Sequence, residues 1–383
     1  MKKSLLFFLL FLPCLAFAAV YPKNIPSKAL KDLSISEINA LFTEANIEYK
    51  KPAIVELADE LGKKLNGQLL IAQNDEIIVE GSYGYKRLNN KTEAQKITLS
   101  TRFELASVSK EFTAAAVLQL VNAGKISLKD PVKKYIPELP YEGITIHHLL
   151  CHASGLPEYF HFPDEWFNTD NMMANEDVVK VLVERKPDKF FEPNKGWRYT
   201  NTNYALLALI VKKVSGMSFP EYVKKNIFTP AGMTHSFYIT ERSKQNDYAT
   251  GHEKDAAPLP VHFMDGTVGD KGLYSNVDDL FAWKKAYFKY YKILPKNLVE
   301  TATRQQNKLD GNAIPEKPYG YGWRLEDNKE YGKIIYHGGL WHGFQHLILY
   351  QPAENIFMVF LSNYKNSAHK GKSNEVLHIL CGA

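Results

Sequence analysis

The sequence predicts a mixed α and β fold, with strands gathered toward both ends of the chain and a mostly helical middle. Three observations carry that expectation. Residues 68–72 and 76–80 are short runs rich in Ile, Leu and Val on either side of Asn74-Asp75, the pattern of a β-hairpin. Residues 319–325, 333–337, 344–350 and 356–362 are short, aromatic or β-branched, and separated by turn residues. Between these groups lie apolar helix-forming segments such as Ala114 to Val121 and Tyr204 to Val214.

Taken in order, residues 1–18 carry Lys2 and Lys3, then a short apolar run ending in Ala16-Phe17-Ala18. This is the layout of a secretory signal peptide cut after Ala18. The run falls short of the roughly 20 residues that span a bilayer, so no stable membrane insertion is expected once it is removed. Pro13 before Cys14 does not suit a lipoprotein site. The expected location is outside the cytoplasm, in a bacterial periplasm. Removing two lysines lowers the formal charge of +5 to +3, and no dense basic cluster stands out. Nucleic acid is therefore not an expected partner. Cys151 and Cys381 remain, and spacing alone leaves open whether they are bridged. Residues 27–66 read as helical, with apolar positions at Leu41, Ile54, Leu57 and Leu61. No linker, repeat or low-complexity tract divides residues 19–383, which are expected to form one domain.

The stretch from Phe103 to Val121 organises the rest. Ser107 and Lys110 are three residues apart at the start of a helix-forming segment that Gly124 can stop. Residues at i and i+3 share a helix face. A serine hydroxyl needs a base to become a nucleophile, and a buried lysine can serve when its proton affinity is lowered. Ser107 is expected in the first turn, where unpaired N–H groups favour a developing negative charge.

Residues 126–140 are mostly turns. Thr145 is expected to cap a short helix through His147, His148 and His152. Those histidines lack the His-Glu-x-x-His spacing and have no carboxylate among them, so no metal is expected. Residues 158–197 are aromatic, with Tyr159, Phe160, Trp166 and Trp197 among them. They can form the helical region's own core or an apolar wall over a cleft. Tyr199 and Asn201 lie on a turn just ahead of the 204–214 helix, which Gly216 closes. A phenol near a lysine can relay protons, and an asparagine amide can donate to a substrate carbonyl. A second Tyr-x-Asn, Tyr274 to Asn276, reads instead as a helix N-cap. His337-Gly338-Gly339-Leu340 sits between two expected strands, where glycine allows close backbone approach and an exposed N–H can serve an oxyanion. Residues 373–380 read as a closing helix.

Together, Ser107-x-x-Lys110, Tyr199-x-Asn201 and His337-x-Gly339 resemble the serine β-lactamase and penicillin-binding-protein superfamily. The likeness is closest to class C β-lactamase-like hydrolases, D-alanyl-D-alanine carboxypeptidases and related esterases. Residues 146–157, Pro230-Ala231-Gly232-Met233 and Gly272-Leu273-Tyr274-Ser275 share in it, so it extends from about Asn66 to the C-terminus. The resemblance implies an antiparallel sheet flanked by helices, with a mostly helical lobe (roughly residues 125–270) inserted in the α/β lobe and the cleft between them. It implies that Ser107 forms an acyl-enzyme and that Lys110 and Tyr199 share the base and acid work. Asn201, His337, Gly339 and Leu340 would bind substrate, with the N–H groups of Ser107 and Leu340 forming the oxyanion hole. Neither metal nor organic cofactor is implied. The expected partner is a small-molecule or peptide substrate, peptidoglycan fragments included.

Two departures carry expectations of their own. Lys271 stands where the family commonly has glycine, and is expected to add positive charge at the cleft rim for carboxylate-bearing substrates. Gly338 replaces a hydroxyl residue frequent in penicillin-recognising members, which argues against strong β-lactamase activity. There is no Ser-Asp-Asn element and no Gly-x-Ser-x-Gly elbow, as class A lactamases and α/β-hydrolases would require. The expectation is a secreted serine hydrolase acting on an amide or ester. The alternative is a non-hydrolysing or slowly acylated penicillin- or peptidoglycan-binding protein.

Overall fold

The computed structural model describes residues 51–253, 257–310, 315, 317–365 and 371–382. The expected signal peptide and the part of the 27–66 helix before residue 51 lie outside the described residues. The chain divides into two units, Met1–Glu56 and Leu57–Ala383, and the second carries the site.

Nine strands form among the described residues. They are β1 (Gly67–Gln73), β2 (Glu76–Tyr83), β3 (Phe103–Glu104), β4 (Phe237–Tyr238), β5 (Leu273–Ser275), β6 (Arg324–Asn328), β7 (Gly332–Trp341), β8 (Phe344–Gln351) and β9 (Ile356–Ser362). Six make one antiparallel sheet in the order β2-β1-β9-β8-β7-β6. The amino-terminal hairpin thus joins the carboxy-terminal strands, with Gly67 opposite Ser362 and Gln73 opposite Ile356. Its turn places Asn74 and Asp75 at φ +53° and +66°, the left-handed pair that a two-residue hairpin turn requires. β3, β5 and β4 form a second, small antiparallel sheet.

The expected 319–325 strand is shorter than its composition suggested. Gly322 adopts φ +79°, which turns the chain so that regular pairing starts only at Arg324.

The helices that matter to the site are α1 (Ser109–Asn122), α2 (Ile146–Leu150), α3 (Asn175–Arg185), α4 (Asn201–Ser215) and α5 (Val277–Lys284). α1 is buried on nearly every side, from Ser109 to Leu118. A helix buried all round carries no polar stripe, and its Ala114-Ala115-Ala116 run lets neighbours pack close. Phe112 stacks on Trp283 of α5 at 4.3 Å between centroids. Thr145 caps α2 by accepting the His148 N–H, while the His148 ring accepts the Thr145 N–H. Asn276 accepts the Asp279 N–H at 3.0 Å and caps α5. The second Tyr-x-Asn is therefore a cap. Cys151 and Cys381 are not bridged, and burial pushes the Cys151 thiol up to about 12.

Candidate active site

β3 carries the chain through Glu104 and Leu105 into a tight turn. Ala106 takes φ +50°, and Ala106–Val108 form a single 3-10 turn that leads into α1. Ser107 therefore stands two residues ahead of Ser109, the first residue of the α-helix, and not in its first turn. The three-residue spacing still works, because the 3-10 turn and α1 are continuous. Lys110 Nζ lies 3.1 Å from Ser107 Oγ.

Lys110 is fully buried and its ammonium has two further acceptors. Nζ donates to Asn201 Oδ1 at 2.7 Å and to the Asp270 carbonyl at 2.8 Å. Burial pushes the Lys110 ammonium down to about 8, and the Arg324 charge works in the same direction. Asp270, Glu158 and Glu104 oppose that shift. The group is thus moved toward the range where a general base operates at neutral pH.

Asn201 opens α4. Its side-chain oxygen takes the Lys110 bond, while its backbone N–H and its Nδ2–H both donate to Glu158 Oε2, at 2.7 and 3.0 Å. That pattern fixes which way round the amide sits. Glu158 was not singled out by sequence. It is buried, and burial pushes its carboxyl up to about 6 against the N–H groups of Asn201 and Phe160.

Tyr199 precedes α4 on an extended segment. Lys110 Nζ lies 4.9 Å from the centre of its ring, and the His152 ring packs against it at 4.4 Å. The Tyr199 hydroxyl is enclosed and makes no regular hydrogen bond among the described residues. Burial pushes the phenol well up, with the Ser107 hydroxyl and the Arg324 charge pulling the other way. Tyr199 is accordingly a phenol at neutral pH.

β7 supplies the opposite wall. Gly339 meets the nucleophile turn: a Cβ at this position would sit 2.4 Å from the Leu105 carbonyl and 3.3 Å from Ala106 Cβ. No side chain fits there. The hairpin between β7 and β8 turns on His342 and Gly343, both at positive φ, with Trp341 opposite Phe344. In such a two-residue hairpin that last pair exchanges hydrogen bonds, and alternation turns the Leu340 N–H to the other edge. β6 pairs β7 only as far as Tyr336. The Leu340 N–H therefore points from an edge that no strand covers.

Two expected contacts are corrected. His337 does not face a substrate: its side chain is buried, Nδ1–H donates to the Gly338 carbonyl at 2.8 Å, and Nε2 pairs with the Tyr319 hydroxyl at 3.0 Å. Burial and the charges of Arg324 and Lys110 hold it well below the usual imidazole range, so it is neutral. It fills the wall behind Tyr199, 6.0 Å between ring centroids. Lys271 is not at the rim. It is 2% exposed, with Nζ bonded to the hydroxyls of Tyr159 and Thr267 and 3.7 Å from Asp270 Oδ2.

A cation that does lie beside Tyr199 is Arg324, the first residue of β6. Its guanidinium lies 4.9 Å from the Tyr199 ring centre and makes no hydrogen bond or ion pair to any described residue. It opens into a groove of about 600 Å³ that Tyr199, Arg198, Lys317, Phe190 and Trp197 also line. Nothing in the local sequence marks this arginine apart from the chain's other basic residues.

Comparison with known proteins decides the family. The beta-lactamase family profile matches residues 54–380. The chain belongs to the beta-lactamase family. A penicillin-binding protein of Bacillus subtilis is 34% identical over 331 residues, covering 82% of this chain and 72% of that one. Protein flp of Staphylococcus aureus is 28% identical over 85% of this chain, which spans 64% of its length. Among solved structures, the octameric penicillin-binding protein homologue from Pyrococcus abyssi superposes with a TM-score of 0.73 at 29% identity, covering 88% of this chain and 77% of that one. The penicillin-binding protein from Bacillus halodurans gives 0.72 at 25%, covering 85% and 98%. The antiparallel sheet with flanking helices is the fold of this beta-lactamase family.

Proposed function

We propose that this beta-lactamase family member is a serine hydrolase that cleaves an amide or ester through an acyl-enzyme on Ser107. The observation that carries the reading is the 3.1 Å contact between Ser107 Oγ and a fully buried lysine amine whose charge is disfavoured. Neutral Lys110 takes the Ser107 proton as Oγ bonds to the acyl carbon. The N–H groups of Ser107 and Leu340 receive the oxyanion. Collapse breaks the bond to the leaving group, which takes its proton from Tyr199, and the Lys110 ammonium returns a proton to the phenoxide. Water then releases the acyl group by the reverse sequence, restoring Ser107.

The leaving group is proposed to be anionic. Tyr199 marks the leaving-group side, since its phenol is the proton donor, and the unpaired Arg324 guanidinium stands over that ring. A carboxylate beside the scissile bond, as in a peptide ending in a D-amino acid or in a penicillin, suits this groove. The penicillin-binding names of the relatives support that choice. Residues 1–18 are proposed to direct export of the protein to the periplasm, where such peptides occur; amino-terminal sequencing of exported protein tests this.

Turnover on a D-Ala-D-Ala peptide, a p-nitrophenyl ester and nitrocefin tests the function. Hydrolysis of the peptide or ester with Ser107 dependence is expected. Label from a penicillin that persists without turnover of any of the three would instead make the protein a slowly acylated binder.

A further inference from the structure

Glu104 has no part in the steps above, yet its carboxylate bonds the residue before Ser107 and the turn that anchors Lys110. It is the last residue of β3 and 4% exposed. Oε2 accepts the Ala106 N–H at 2.9 Å, and Oε1 accepts the Gly272 N–H at 2.7 Å. Ala106 immediately precedes the nucleophile and sits at φ +50°, a conformation that a residue other than glycine keeps only when its surroundings hold it. Gly272 closes the turn that contains Asp270, whose carbonyl receives Lys110. One carboxylate thus ties the turn that carries the nucleophile to the turn that anchors the base.

A buried carboxylate in that position has to be kept ionised. Burial pushes the Glu104 carboxyl up to about 8, and the Asp265 charge adds to this. The two N–H donors and Lys271 oppose it. Lys271 lines a small cavity with Glu104 and is held in place from several sides. Its Nζ lies 5.3 Å from the ring centres of Phe160 and Trp341 and 5.6 Å from that of Tyr159. Burial lowers its own proton affinity, and Asp270, Glu104 and Asp265 oppose that shift. Other charged and titratable groups face the same region. Arg242, Tyr274 and His342 line, with Glu104, Lys271 and Asp265, a small cavity of about 40 Å³. On the β8 side, His346 Nδ1 accepts the Ser362 N–H at 3.2 Å, so its Nε2–H donates to the Glu104 carbonyl at 2.6 Å.

We propose that Glu104 and Lys271 act as a positioning pair for acyl transfer: the Glu104 side chain holds the Ala106–Ser107 turn in register with the Asp270–Gly272 turn, and Lys271, which lines the same small cavity, is the cation that supports it. The pair touches no substrate. It rests on the acyl-enzyme reading of Ser107. It also explains why a lysine is useful, buried, at a position where the family commonly has glycine.

The experiment is the rate of Ser107 acylation by a fluorescent phosphonate across pH, in the full chain and in Glu104→Gln, Lys271→Met, Lys271→Arg and the Glu104→Gln/Lys271→Met double variant. The two N–H groups bond different carboxylate oxygens, and an amide would set its NH2 against one of them, so Glu104→Gln is expected to slow acylation about 10- to 100-fold with the probe's saturation constant unchanged. Lys271→Met is expected to move the acid limb of the rate up by about one pH unit, and Lys271→Arg to restore it. In the Glu104→Gln background, the Lys271→Met shift should shrink or vanish. An equal shift in both backgrounds would mean that Lys271 acts directly on Lys110 and would overturn the pairing. So would wild-type acylation by Glu104→Gln. Should Lys271→Met fail to fold, Asp265→Asn removes a charge that opposes Glu104 ionisation and must move the limb down; an unmoved limb would contradict the proposal. Failure of the unaltered protein to label at Ser107 sinks the hydrolase reading itself, whereas normal labelling with unaffected variants sinks only this inference.

Discussion

Arg324 holds its guanidinium 4.9 Å from the centre of the Tyr199 ring, with no hydrogen-bond or ion-pair partner among the described residues. The first residue of an edge strand is thereby set beside the group that would protonate the leaving group. Lys271, the cation expected to recognise carboxylates, is sealed in the interior, and Arg324 is the residue proposed for that role instead. Replacing Arg324 with Gln is expected to lower kcat/KM on a substrate with a carboxylate leaving group by about 10- to 100-fold, the range for a lost charge-assisted hydrogen bond. A neutral ester should be affected far less. Paired assays of a free-acid peptide and its amide check this; equal losses on both would contradict it.

Lys110 gives the reaction its pH dependence. The amine must be unprotonated to take the Ser107 proton, and its folded value is lowered to about 8 by burial, assisted by Arg324. The rate of acylation should therefore rise with pH through about 8 and level off above it. Arg324→Gln removes a cation that disfavours the ammonium, so the same limb should move to higher pH. A pH profile of kcat/KM on an uncharged ester measures both, and a flat profile through that range would count against Lys110 as the base.

Gly339 and Gly338 are neighbours with opposite tolerance. A Cβ on Gly339 meets the Leu105 carbonyl at 2.4 Å, whereas one on Gly338 finds its nearest atom at 3.6 Å. Gly339→Ala must push the nucleophile turn away from β7. It is expected to destabilise the fold by about 1–3 kcal/mol and to slow acylation by about 100-fold. Gly338→Ala should keep near-normal thermal stability. Thermal melts and labelling rates of the two variants, side by side, make the comparison.

Glu111, next to Lys110 on α1, is a buried carboxyl with one oxygen bonded to Trp283 Nε1 at 3.2 Å and the other without a partner among the described residues. Burial raises it well above its ordinary value. The folded chain thus keeps a proton that the unfolded chain releases above about pH 4.5, so stability falls as pH rises from there toward the folded value. Each unit between the two values is worth about 1.4 kcal/mol. Glu111→Gln keeps the shape and removes the titration. Its melting temperature should exceed that of the parent at pH 8, with the gap closing toward pH 4.5; a gap independent of pH would contradict this.

What the sequence disclosed follows from how local each relationship is. The Ser107–Lys110 contact spans three residues of continuous helical backbone, so spacing alone announces it. The strand pattern of 344–350 and 356–362 is equally local, and both strands form with their ends shifted by at most one residue. The depth of Lys271 is not local. It depends on Tyr159, Phe160 and Trp341 converging from distant segments, and a lysine's letter reads as surface until they do. His337 fails for a related reason. Its position in the motif is legible, but the Tyr319 hydroxyl that occupies its Nε2 comes from a turn eighteen residues away. Glu158 and Arg324 carried no signal, since one is a lone acid in an aromatic loop and the other a lone base at the start of a strand.

The central claim is that Ser107 becomes acylated, and intact-mass and peptide mass spectrometry after exposure to a penicillin or a fluorophosphonate tests it directly. The account predicts one covalent adduct, on the peptide containing Ser107, lost in Ser107→Ala and slowed at least about 1,000-fold in Lys110→Ala. An adduct on another residue, or none from either reagent at saturating concentration, would contradict it.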